Sequence, residues 1–128
     1  SYANATIASG SNIHDHVAIT ELGPNTFGVG WVDNGTLKGK TYQYKDKNIK
    51  SIIKDAKAIS SNECANAVNP KAGTFLTTTS HYMLAWTWEC KKDDNQHIRM
   101  RISNNHMVLQ SQINPAIYNT LYQEYPAV

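Results

Sequence analysis

Residues 48–57 read NIKSIIKDAK, and the architecture of the chain turns on whether this stretch is helical. Ile49, Ile52, Ile53 and Ala56 fall at i, i+3, i+4 and i+7, which gathers four apolar groups on one face of a helix and leaves lysines on the other. Asp46 or Asn48 is a suitable N-cap. Directly downstream, Ser60-Ser61-Asn62-Glu63 has the S-x-x-E form of a capping box, with Ile59 and Cys64 in the two positions of a hydrophobic staple. The spacing therefore predicts a helix from about residue 48, a break near Ile59, and a short second helix that ends before Asn69-Pro70.

The flanks read as strands. His16 to Leu22 is a first strand, Gly23-Pro24-Asn25-Thr26 a turn, and Phe27 to Asp33 a second strand with Phe27, Val29 and Trp31 on one face. Gly28 and Gly30 leave the opposite face bare, which suits a strong bend, a close approach by another backbone or an aromatic ring lying across the strand, with a pocket floor as the functional version. Asp33-Asn34-Gly35-Thr36 should close a hairpin onto a third strand near Lys38 to Lys45. Phe75 to Thr79 is strand-like and a turn near Ser80-His81 follows. In the next strand, Tyr82 to Cys90, the residues Tyr82, Leu84, Trp86, Trp88 and Cys90 share a face. Lys91 to Gln96 reads as a polar loop. Ile98, Met100 and Ile102 alternate with His97, Arg99 and Arg101 in a half-buried strand, which Asn104-Asn105 turns into a partner from Met107 to Ile113. Asn114 as N-cap and Pro115 at the first helical position start a short C-terminal helix carrying a Tyr118, Tyr122 and Tyr125 stripe.

This order of elements predicts an α+β fold: an antiparallel sheet of about six or seven strands, a central helical segment over about 48–68, a short C-terminal helix and one disulfide. Residues 1–12 read as a flexible arm or linker remnant, and 13–128 as a single domain. Cys64 and Cys90 both face a core from different elements, so they are expected to pair with each other rather than to serve as nucleophiles or metal ligands.

Composition points to export. Charged residues are 17% of the 128, while thirteen Asn, eleven Thr and nine Ser supply an uncharged polar surface. The chain opens at Ser1, which suggests a removed leader or a cut fragment, and no segment is apolar enough for membrane insertion. The expected location is secreted, cell-surface or periplasmic. A net charge of +2 argues against nucleic acid as a partner. Lys38, Lys40, Lys45, Lys47, Lys50, Lys54 and Lys57 are concentrated locally, and they read as a solvated surface. The sequons at Asn4 and Asn34 carry little weight in a chain so rich in Asn, Ser and Thr.

Catalytic signatures are absent. No serine sits in a nucleophile elbow, the ten Asp and Glu are scattered, and Gly28 and Gly30 are strand residues rather than a phosphate loop. His14-Asp15-His16 offers two ligands, where a zinc centre needs three or four. No metal or cofactor is expected. The best binding candidates are a cationic strip of His97, Arg99 and Arg101, with Gln110 and Gln112 beside it, and the tyrosine stripe, which either packs on the sheet or pairs subunits into a homo-oligomer. The expectation is a non-enzymatic recognition domain, an adhesin, secreted effector or surface-assembly module, acting on a protein or glycan of a host cell or cell envelope. Two alternatives stand beside it: a periplasmic inhibitor or immunity protein that plugs another enzyme, and a small secreted hydrolase with a site built on His81 or His97.

Overall fold

Three two-residue turns set the topology, each with both central residues at positive φ: Asn34-Gly35, Asp46-Lys47 and Asp93-Asp94. Mirror-image turns of this kind match the right-handed twist of the strands they join, so each closes a tight hairpin. The computed structural model describes residues 3–10, 12 and 14–112, and these contain no helix. The strands are β1 (His14–Glu21), β2 (Thr26–Asp33), β3 (Thr36–Lys45), β4 (Asn48–Ser51), β5 (Lys57–Ala58), β6 (Ala65–Leu76), β7 (Tyr82–Lys92) and β8 (Asn95–Ser103). They form two antiparallel sheets: a five-stranded one in the order β1-β2-β3-β4, with β5 also on β3, and a three-stranded one in the order β6-β7-β8.

The described residues are thus all-β, two antiparallel sheets with no helix, and the expected α+β class is corrected. The central helical segment over 48–68 does not exist. Asn48 to Ser51 instead return from the Asp46-Lys47 turn to pair with β3, Ile49 opposite Tyr44. The residues of the supposed apolar stripe go to different places: Ile49 and Ala56 pack on one hydrophobic cluster and Ile53 on another, while the Ile52 N–H donates to Thr41 O at 2.9 Å. The capping-box residues also find distant partners. Ser60 Oγ accepts the Leu37 N–H at 2.8 Å, and Glu63 receives Arg99 Nε at 3.1 Å. Both contacts lie across the fold, and they outcompete a local cap whose contribution is about 1 kcal/mol.

Further differences concern boundaries. Asn69-Pro70 lies inside β6, where register shifts between Ala65 and Lys71 mark bulges in an edge strand, a place where proline is tolerated. The Lys91 to Gln96 loop shrinks to the Asp93-Asp94 turn. Of the expected Met107 to Ile113 strand, the described residues form a single bridge, Ser103 to Leu109. The expected C-terminal helix, with Tyr118, Tyr122 and Tyr125, lies outside the described residues. No described helix is long and apolar enough to cross a membrane.

The sheets pack face to face. Leu84, Trp86 and Trp88 of β7, all fully buried, meet Val32 and Leu37 of the larger sheet in the main core. Trp86 lies across bare backbone: a Cβ on Gly30 would stand 2.6 Å from its ring, and one on Gly28 or Gly39 would also touch it. Its indole N–H donates to Ser103 Oγ at 2.9 Å. The opposite face of β2 carries a second cluster of Val29, Trp31 and Tyr42, covered by Ile7, Phe27, Ile49 and Ala56. At the open edge β1 runs beside β6, where Thr74 Oγ1 donates to the Glu21 carbonyl. Residues 59–64 strap the sheets together. Ile59 N–H donates to Leu37 O at 2.7 Å on one side, and the Cys64–Cys90 disulfide joins β7 on the other. Such a bridge is compatible with an oxidising compartment.

Candidate functional site

The cationic strip is bound into the fold. Antiparallel pairing sets Arg99 opposite Trp88 and Arg101 opposite Trp86, and cross-strand partners share a face. Arg99 is accordingly 3% exposed, its guanidinium held by Glu63. Gln112 Nε2 donates to the same carboxylate at 2.7 Å, and Lys92 Nζ stands 3.6 Å away. His97 pairs with Cys90 and is half-buried. Gln110 is exposed, and its backbone N–H is committed to Ile102 O. The structure therefore brings Arg99 and Gln112 together on Glu63 as an internal ion-pair network.

Desolvation tends to raise the Glu63 pKa, but hydrogen bonds from Gln112 and Arg99 and the charges of Arg99 and Lys92 outweigh it, leaving the carboxyl below its ordinary range. A carboxylate with a depressed folded pKa stabilises the fold fully above its unfolded pKa, and that contribution disappears as pH falls through the folded value. Glu63→Gln should therefore lower the melting temperature at pH 7 and converge on the parent in acid. Because the carboxylate is partly solvated, the neutral-pH loss should be about 1 kcal/mol or less. Thermal melts across a pH series check this; a gap that persists undiminished in acid would contradict it.

The histidines at the start of the chain do not converge. His16 sits at a bulge with φ of 49° and meets Asp15 at 3.0 Å, while His14 lies 3.7 Å from Asp33. Lys38 Nζ holds the other Asp33 oxygen at 2.9 Å, and its hydrogen bond is the main reason the Asp33 carboxyl titrates below its ordinary value. Among the described residues no three His, Cys, Asp or Glu gather at one point. His81 and His97 lie at opposite ends of the Tyr82 to Cys90 stretch, about 30 Å apart at the rise of a strand.

What the topology does bring together is one end of the sandwich. The β1–β2 turn, the β6–β7 turn and the chain leaving β8 converge around a cleft of about 530 Å³. A cleft of this size is within the range that holds small ligands. Leu22, Pro24 and Thr26 form one wall, and Thr77, Thr79, His81 and Tyr82 another. Asn104 and Asn105 close it. Two other clefts, beside Asn34 and Asn66 and beside Ile7 and Trp31, are about half as large, near 270 and 290 Å³.

Local bonding fixes each wall. Thr77 N–H to His81 O closes the β6–β7 turn at 2.9 Å, and Ser80 takes φ of 63° there. Thr79 Oγ1 lies 2.9 Å from His81 Nδ1 and 3.1 Å from Thr77 Oγ1, which orients the imidazole and leaves its Nε2 without a partner among the described residues. Asn104 Oδ1 accepts the N–H groups of His106 and Val108, so its Nδ2 is the group left to donate outward. The Asn105 carbonyl is tied to β3 by Thr41 Oγ1 at 2.6 Å. Tyr82 rests on the β1–β2 turn, where Gly23 has φ of 123° and a Cβ would come 3.1 Å from the ring. It nevertheless stays 46% exposed.

No protein-family model, curated protein or solved structure matches this chain. The cleft is not legible in the sequence because its lining comes from three separate stretches, Leu22 to Thr26, Thr77 to Met83 and Asn104-Asn105, which only the fold brings together. The signals present are the Thr77 to Tyr82 run, which by pattern alone reads as a strand end, a Ser80-His81 turn and a strand start, and the Asn104-Asn105 pair, which reads as a turn.

Proposed function

We propose that this protein is an exported recognition domain that binds a protein or glycan partner on a cell or envelope surface through the cleft at the loop end of its sandwich. One observation carries the reading: three separate loops converge on a single concavity whose rim holds a half-exposed tyrosine seated on a glycine turn. Loops borne on a rigid sheet scaffold are where binding residues concentrate. The disulfide supports export, since such bridges persist in oxidising compartments.

A hydrolase reading would rest on the Thr79–His81 contact. It is weakened because no described carboxylate orients the imidazole, and because the Thr79 hydroxyl is shared with Thr77 within a turn. Chromogenic ester and glycoside substrates are expected to show no turnover above the blank; turnover lost in His81→Ala would favour the hydrolase.

Titrating fluorescently labelled protein onto mammalian and bacterial cells tests recognition. Tyr82→Ala and His81→Ala should each weaken binding about tenfold or more, the scale of an anchor residue, with circular dichroism unchanged. Arg101→Ala, outside the cleft, should leave binding within about twofold. Cell binding that ignores both cleft variants would overturn the assignment, as would no binding to any cell.

A further inference from the structure

We infer that the ligand of this cleft is an uncharged saccharide, an inference that rests on the recognition role proposed above and names its partner. The first ground is charge. None of the described residues lining the cleft is Asp, Glu, Lys or Arg, although the protein carries twelve Lys and Arg and ten Asp and Glu. A sialylated, sulfated or phosphorylated ligand would meet no Lys or Arg on this lining to pair with its charge. Calcium, which demands several oxygen ligands and usually carboxylates, has no such set here.

Chemistry of the walls is the second ground. Each sugar hydroxyl is both donor and acceptor, so it suits a site built of amides, hydroxyls and an imidazole. Asn104 has Nδ2 left to donate because its Oδ1 is used within the turn, and His81 has Nε2 left because Thr79 occupies Nδ1. The hydroxyls of Thr77 and Thr79 are already ordered by one another, so little freedom is lost when a ligand joins them. Tyr82 supplies the third ground. Its ring, fixed against Gly23 and half exposed, is a flat apolar surface with a polar tip, and the C–H face of a pyranose matches such a surface.

The intact protein on an array of immobilised neutral, sialylated and sulfated oligosaccharides tests this. Binding should appear among the neutral glycans, survive EDTA, and change less than about twofold when salt is raised several-fold, since no ion pair is screened. Tyr82→Ala and His81→Ala should each lose about tenfold, whereas Tyr82→Phe, which keeps the ring, should stay within about threefold. Binding confined to sialylated or sulfated glycans, with steep loss in salt, would overturn the inference. So would cell binding that needs Tyr82 but survives enzymatic removal of surface glycans, a result that leaves the recognition role standing. Cell binding indifferent to Tyr82 would remove both.

Discussion

Replacing Trp86 with alanine should cost about 3–5 kcal/mol of folding stability. The indole is fully buried between the sheets, and the positions facing it, Gly28, Gly30 and Gly39, have no side chains to move into the space it would leave. The same change strands Ser103 Oγ, which accepts the indole N–H and donates onward to Met107 Sδ at 3.7 Å. A domain with a total stability of about 5–15 kcal/mol would then sit at the edge of unfolding. Urea titration followed by tryptophan fluorescence and circular dichroism measures the loss as a shift in midpoint at constant m. The reciprocal change, Gly30→Val, should destabilise by about 1–3 kcal/mol through overpacking, since a Cβ there lies 2.6 Å from Trp86 Cζ3. A loss below about 1 kcal/mol in Trp86→Ala would mean that the two sheets close over the gap.

That contact was partly legible in the sequence. Gly28 and Gly30 flanking Val29 announced a face without side chains, and an aromatic ring across the strand was among the outcomes it suited; the Trp86 strand was independently expected to be core. Turn chemistry was legible for the same reason, because Asn34-Gly35 accepts positive φ at little cost and so commits the chain to a hairpin. The Cys64–Cys90 pairing also followed from local pattern, although the helix that was to carry Cys64 does not form.

The segment from Asp46 to Cys64 was not legible, and the reason is physical. Its isoleucines fit a helical face, yet they are β-branched and propensity there is only a weak preference. Asp46 and Lys47, an unremarkable pair by sequence, both adopt positive φ and turn the chain back onto β3. Ser60 and Glu63 were read as partners of each other when their true partners, Leu37 and Arg99, are 23 and 36 residues away. The loop-end cleft escaped for the same reason. Local spacing identifies what a residue offers, and only the sheet order decides what it meets.

Removing the disulfide is the second large effect. Replacing Cys64 and Cys90 together with alanine should cost about 3.5 kcal/mol in the chain-entropy model, given the sequence separation of 26. The strap of residues 59–64 is tied to the Leu37 backbone groups on β3, through Glu63 to Arg99 on β8, Lys92 on β7 and Gln112, and by the disulfide to β7. Without the covalent tie, the remaining ones join a segment with no ladder of its own to two different sheets, so the strap should open before the sheets do. Hydrogen exchange distinguishes this from uniform weakening. The amides of Ile59 and Ser60, both bonded to Leu37 O, should lose protection in the double variant or on reduction, while those of Trp86 and Trp88 change only with global stability. Equal loss at all four would mean that the disulfide acts on the unfolded chain alone. Preferential loss at the strap would make residues 59–64 a local opening unit, with Glu63 and its Arg99 partner released together.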